Sequence, residues 1–188
     1  MIRQIHDYYS HEFNEDDGVI AANFITKTGT QYRVYFYPAV DYFDQIQSGM
    51  RLSEASYYFG FTKVAPNEGK AEHYDPRVMN TIVNVINEFY EEQGKESILI
   101  FHCSDEGGND KKYKRAKLFN DWFERATSKY CYKKFNEEII VNEYTGQNGE
   151  VVTDKEYMSL IIQCDNNDIN KALEEFQVIK DAIISGKG

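Results

Sequence analysis

The 188-residue chain predicts an α+β fold, in which a mixed, mainly antiparallel central sheet carries helices packed on it and ends with a C-terminal helix. Three observations lead there. The first third alternates apolar and polar residues between turn residues, as a half-buried antiparallel sheet requires. From Asp75 the apolar spacing becomes helical, and residues 97–103 form a continuous apolar run bounded by charge.

Residues 19–26 and 31–38 read as strands joined at Thr28-Gly29, where Gly accepts the positive φ of a tight hairpin. Residues 56–64 read as a third strand, and 39–54 between them hold a short helix. Asp75-Pro76 then supplies an N-cap followed by the one helical position that tolerates proline. Val78, Ile82, Val85, Ile86 and Phe89 share one face of this helix; Asn80, Asn84, Asn87, Glu88 and Glu91 share the opposite one, and Gly94 ends it.

The run 97–103 fits a central strand covered on both faces. After a Gly-containing acidic loop comes a helix rich in lysine. Residues 131–144 and 156–164 follow as strands of a hairpin about Asn148-Gly149. The last helix, 169–184, places Ile169, Ala172, Leu173, Phe176, Ile179 and Ile183 on one face, with capping oxygens at 166–168. The length suits a single domain over residues 1–188.

Charge restricts the partners. With 21 Lys and Arg against 31 Asp and Glu, the formal charge is −10, and the field of the whole molecule opposes nucleic acid and anionic lipid. No stretch approaches the roughly 20 apolar residues of a membrane span, so no membrane association is expected. Cys103, Cys131 and Cys164 are odd in number and widely spaced, which fits reduced, buried thiols and a cytoplasmic location.

The candidate site lies where the central strand meets the lysine-rich helix. Lys111, Lys112, Lys114, Arg115 and Lys117 crowd its start, against the helix dipole. Stepping about 100° per residue puts Lys114 and Lys117 on a solvated face, whereas Arg115 falls between Trp122 and Ala126 inside an apolar arc. Arg115 therefore points toward the sheet or a cleft, where a guanidinium needs a carboxylate, carbonyls or an anionic ligand. A planar pair with Asp105, stacked on Trp122, meets that need; so does an anion or a partner held by Arg115, Lys111, Lys112, Asp105, His102 and Trp122.

Neither a cofactor nor a metal is expected. Adjacent strand residues face opposite ways, so His102 and Cys103 do not share one metal, and Gly107-Gly108 is too short for a phosphate loop. No catalytic constellation is evident in the spacing.

The order strand, strand, strand, helix, strand, helix, strand, strand over residues 19–164 resembles the Gcn5-related N-acetyltransferase fold. That resemblance implies an acyl-coenzyme A-dependent N-acyltransferase. The family grips pyrophosphate with a Gln/Arg-x-x-Gly-x-Gly/Ala loop, whereas the matching stretch here, KVAPNEGKAEHYDPR, has one glycine and puts the Asp75 carboxylate at the helix start. The stretches DPRVMNTIVNVINEFY and KRAKLFNDWFERA also look like an uncharacterised family of small bacterial proteins. The expected function is a non-catalytic binding or inhibitor protein, toxin-neutralising or related to phage and host defence, with a protein partner. The alternatives are an acyltransferase-like protein without the usual loop, and nucleotide or nucleic-acid binding through Lys111 to Lys117.

Overall fold

The computed structural model describes residues 7–44, 46–65, 75–103, 109–125 and 130–186. Within them the chain runs β1 (His11–Asp16), β2 (Val19–Ile25), β3 (Gln31–Pro38), α1 (Ala39–Tyr42), α2 (Arg51–Ala55), β4 (Ser56–Ala65), α3 (Pro76–Gln93), β5 (Ile98–Cys103), α4 (Asn109–Arg125), β6 (Tyr132–Thr145), β7 (Val151–Gln163) and α5 (Ile169–Gly186). The strands form one sheet in the order β1-β2-β3-β4-β5-β7-β6, antiparallel throughout except for the parallel pair β4 and β5. The fold is α+β, as the sequence predicts.

Strand β1 was not expected. Its signal is Asp17-Gly18, both at positive φ (50° and 76°), which is the backbone a two-residue hairpin needs to follow the twist of its strands. The interval 39–54 holds two short helices instead of one. Glu175 of α5 accepts from the backbone N–H of Arg51 and of Leu52 at 2.9 Å each, and so ties α2 to the last helix.

Two cores lie on opposite faces of the sheet. On one, α3 presses Val78, Ile82, Val85, Ile86 and Phe89 onto β2 to β5, joined by Phe119 of α4. On the other, α5 packs Ala172, Phe176, Ile179 and Ile183 against β5 to β7, with Phe43 and Leu52 alongside. Strand β5 alternates between them, Ile98 and Ile100 facing α5 while Leu99 and Phe101 face α3, which is why its sequence is apolar without interruption. Tyr90 is fully buried and donates to the Ile161 carbonyl at 2.9 Å, so its hydroxyl costs the core nothing; burial raises its pKa well above the ordinary value.

Two sequence expectations are corrected. Cys131 and Cys164 are not thiols but a disulfide, with Cα atoms 5.4 Å apart. They continue the β6–β7 ladder one step beyond Tyr132 and Gln163, so register alone brings them together; Cys103 is a buried thiol outside that bridge. Asn87 is buried instead of solvated and accepts from the Tyr132 hydroxyl at 3.0 Å, because β6 reaches across that flank of α3.

Candidate functional site

The one parallel contact in the sheet is also its shortest. Strands β4 and β5 pair from Ser56 with Ile98 to Phe59 with Phe101, and then part. Beyond that point β4 stays on β3 as far as Ala65, and β5 stays on β7 as far as Cys103. A cleft of about 1120 Å³ occupies the opened seam. Because strand residues alternate, it is walled from both faces of the sheet: by Tyr35, Tyr58, Gly60 and His102 on one, and by Phe61, Phe101, Leu118 and Trp122 on the other.

Local sequence shapes these walls. Tyr35 stands opposite Gly60 in the β3–β4 register, and a Cβ at Gly60 would lie 2.5 Å from the Tyr35 ring. Glycine is what lets that ring lie flat across the strand. Trp122 stacks on Phe61, their centroids 5.7 Å apart and their planes 24° apart. Its indole Nε1 is buried with no hydrogen-bond partner among the described residues.

At the mouth, α3 begins with a compact polar cluster. Asp75 accepts from the backbone N–H of Arg77 at 3.0 Å as the N-cap, and from the Arg77 guanidinium at 3.0 and 2.8 Å. The Tyr9 hydroxyl donates to the same carboxylate, while Arg77 lies 4.6 Å from the centre of the Tyr9 ring. Hydrogen bonds from Arg77 first, aided by Tyr9, hold the Asp75 carboxyl down to about 2 against the opposing effect of burial. Asp75 was expected to repel an anion at this helix start. The paired guanidinium offsets that charge.

Deeper in, β5 and β7 set His102 beside Glu156, two residues diagonally along from its partner Met158. Nε2 of the imidazole lies 2.9 Å from Oε2 of the carboxylate, and the side chains are 7% and 4% exposed. Nδ1 has no hydrogen-bond partner among the described residues. Cys103, the next residue, lies in the opposite core, so the strand keeps the two apart; no metal-holding group of His, Cys, Asp and Glu occurs among the described residues.

The remaining sequence candidates divide. Arg115 and Trp122 both line the cleft, but Arg115 is exposed at its edge, not buried in the sheet contact. The reason is that the apolar arc of α4 is wider than its contact with the sheet. Phe119 is buried on the sheet, while Leu118 and Trp122 turn with Arg115 to the cleft. Lys112 is the buried cation, with Nζ 3.1 Å from Oδ1 of Asp154 and a side chain 9% exposed. The helical wheel contains that answer: about 100° per residue puts position 112 between Phe119 and Phe123. Lys114 and Lys117 are exposed, as expected. Since Lys112 turns inward, Lys111 to Lys117 do not form one basic face. Asp105 and the side chain of Lys111 lie outside the described residues, and the Arg115–Asp105 pair with them.

A family of unknown function, DUF6169, matches residues 74–178, more than half of the chain. The chain belongs to this family. The DUF6169 segment carries Asp75, Arg77, His102, Arg115, Trp122 and Glu156, while Tyr35, Gly60 and Lys63 are contributed by the strands before it. No curated protein and no solved structure matches the chain. The resemblance to acetyltransferases therefore rests on the order of elements alone.

Proposed function

We propose that this DUF6169 protein is a binding protein whose ligand is an organic anion with a flat or apolar body, seated in the seam between β4 and β5. One observation carries this reading: the seam opens where pairing stops, and its walls combine aromatic rings with cations. Among the described residues, the charged ones lining it are Lys63, Arg77 and Arg115 against Asp7 and Asp75, three positive to two negative, in a chain where 21 basic residues face 31 acidic ones. Among those residues the local balance inverts that of the molecule, which favours attraction for an anion at the cleft. Rings and guanidinium planes suit a flat body. A nucleotide or an acyl-coenzyme A has this chemistry, and the volume admits either.

Calorimetry with coenzyme A, acetyl-coenzyme A and adenosine triphosphate tests the reading. Binding of at least one, weakened in Arg115→Ala and Lys63→Ala, is the expected result. Absence of heat with all three overturns it.

A second reading, binding of a protein partner as an inhibitor would, is favoured by a separate feature. Tyr37, Val40 and Tyr42 are exposed together where β3 passes into α1, with Asp41 among them. Capture of a basic protein that is lost in Tyr42→Ala and at high salt supports it; capture unaffected by either removes it. No described helix is long and apolar enough to cross a membrane. A cytoplasmic location requires Cys131 and Cys164 to be kept reduced there, which thiol trapping in freshly opened cells measures.

A further inference from the structure

The imidazole of His102 is the one titratable side chain of the cleft wall that is buried, oriented and left with an unused nitrogen among the described residues. A buried polar nitrogen without a partner is disfavoured, so its retention calls for something that meets it. An ionised carboxylate can only accept, so beside an ionised Glu156, 2.9 Å from Nε2, a neutral imidazole keeps its proton on Nε2 and leaves Nδ1 bare. A carboxylate behind an imidazole also stabilises the imidazolium formed when the bare nitrogen takes up a proton.

We propose that His102, held by Glu156, is a general base at the inner end of the cleft, accepting at Nδ1 a proton from an amine or hydroxyl group of the molecule bound there. The proposal rests on the reading of the seam as a ligand site. It adds a reactive class: the ligand carries, besides its anion, an N–H or O–H that the pair deprotonates. In that step the N–H or O–H bond breaks and its electron pair stays on the ligand atom. The proton moves to Nδ1, and the Glu156 carboxylate offsets the new charge. Nδ1 is closed off from water, with the rings of Phe43 and Tyr42 centred 5.7 and 6.4 Å from that of His102. Tyr42 is 42% exposed and stacked on Tyr58 of the cleft wall, so it is the neighbour placed to swing aside when a ligand enters.

Diethyl pyrocarbonate on the full chain tests this without any ligand. The bare nitrogen attacks a carbonyl carbon of the reagent, an N–C bond forms as the bond to ethyl carbonate breaks, and the Nε2 proton passes by way of Glu156 to the departing ethyl carbonate, which splits into carbon dioxide and ethanol. Site-resolved mass spectrometry should find His102 modified in the folded protein. Its rate should fall by about tenfold or more in Glu156→Gln, whose neutral amide does not offset the positive charge the imidazole gains as it attacks. The proposal is overturned if His102 reacts only after denaturation, or equally fast in both proteins. Should the variant not fold, nitrogen-15 NMR of histidine in the unaltered chain decides: an Nε2–H tautomer with bare Nδ1 is expected, and Nδ1–H sinks the idea. Failure of the three anions to bind overturns the ligand reading but leaves these results unchanged, so the two failures are distinct.

Discussion

The two halves of the β4–β5 seam are built from adjacent residues and behave as different materials. In the closed half, Ser56 to Phe59 pair with Ile98 to Phe101, and Phe59, Ile98, Leu99 and Ile100 are fully buried. The Cys131–Cys164 bridge lies toward this end, one step past Gln163, the neighbour of the residue that pairs with Ile98. In the open half, from Gly60 and His102 onward, the strands share no ladder, and titratable and aromatic side chains line the gap. Backbone pairing and polar side chains are alternatives here. Where the ladder stops, buried polar atoms such as Trp122 Nε1 and His102 Nδ1 go without protein partners among the described residues, and a site becomes available. The rigid half holds the edges of the open half at a fixed spacing.

The closed half should therefore carry the stability. Phe59 meets Phe36, Phe101 and Phe119 at centroid distances of 5.5 to 5.9 Å, and Phe59→Ala should cost about 3 to 5 kcal/mol in denaturant unfolding. A loss below about 1 kcal/mol would break the comparison, since the closed half would then not be the anchor. Next in size is the disulfide, with a sequence separation of 33 residues; by the chain-entropy account, its removal in Cys131→Ser/Cys164→Ser should cost about 3 to 4 kcal/mol. Unchanged unfolding under reductant would mean that the β6–β7 ladder alone holds this end.

Legibility in the sequence follows the same division. The Asp75-Pro76 cap, the uninterrupted apolar run of β5 and the Asn148-Gly149 hairpin are local patterns, and each was readable. Asp17-Gly18 was as local and signalled β1 equally well. Lys112 could have been placed inside by carrying the helical wheel through every lysine. The Cys131–Cys164 bridge needed the hairpin register, including the irregularity between Ile140 and Asn142, which spacing does not reveal. His102 and Glu156 are 54 residues apart and meet only through the β5–β7 pairing. The parting of β4 from β5 has no sequence mark, since residues 60–64 continue the strand pattern against β3.

Smaller effects sharpen the contrast within the open half. Gly60→Ala places a methyl 2.5 Å from the Tyr35 ring, whose outer end must swing away. Overpacking of this kind should cost about 1 to 3 kcal/mol, and the displaced ring should also change the affinity of any anion that binds the seam. A variant as stable as the original, with unaltered binding, would show that Tyr35 is not fixed as a wall.

The smallest expected effect comes at the mouth, where Asp75 caps α3 and pairs with Arg77. Asp75→Ala should cost about 1 kcal/mol near neutral pH, the usual worth of such a cap. Its pH dependence has a definite sign. The carboxyl is depressed from 3.8 to about 2 in the folded chain, so the unfolded chain binds the proton more tightly. The contribution is complete above the ordinary value of 3.8 and disappears as pH falls through about 2. The stability difference between Asp75→Ala and the original chain should hence be constant from neutral pH down to that ordinary value and shrink below it. A difference that instead grew on acidification would mean that burial outweighs Arg77 and favours the protonated acid, and the cluster at the cleft mouth would have to be read without its ion pair.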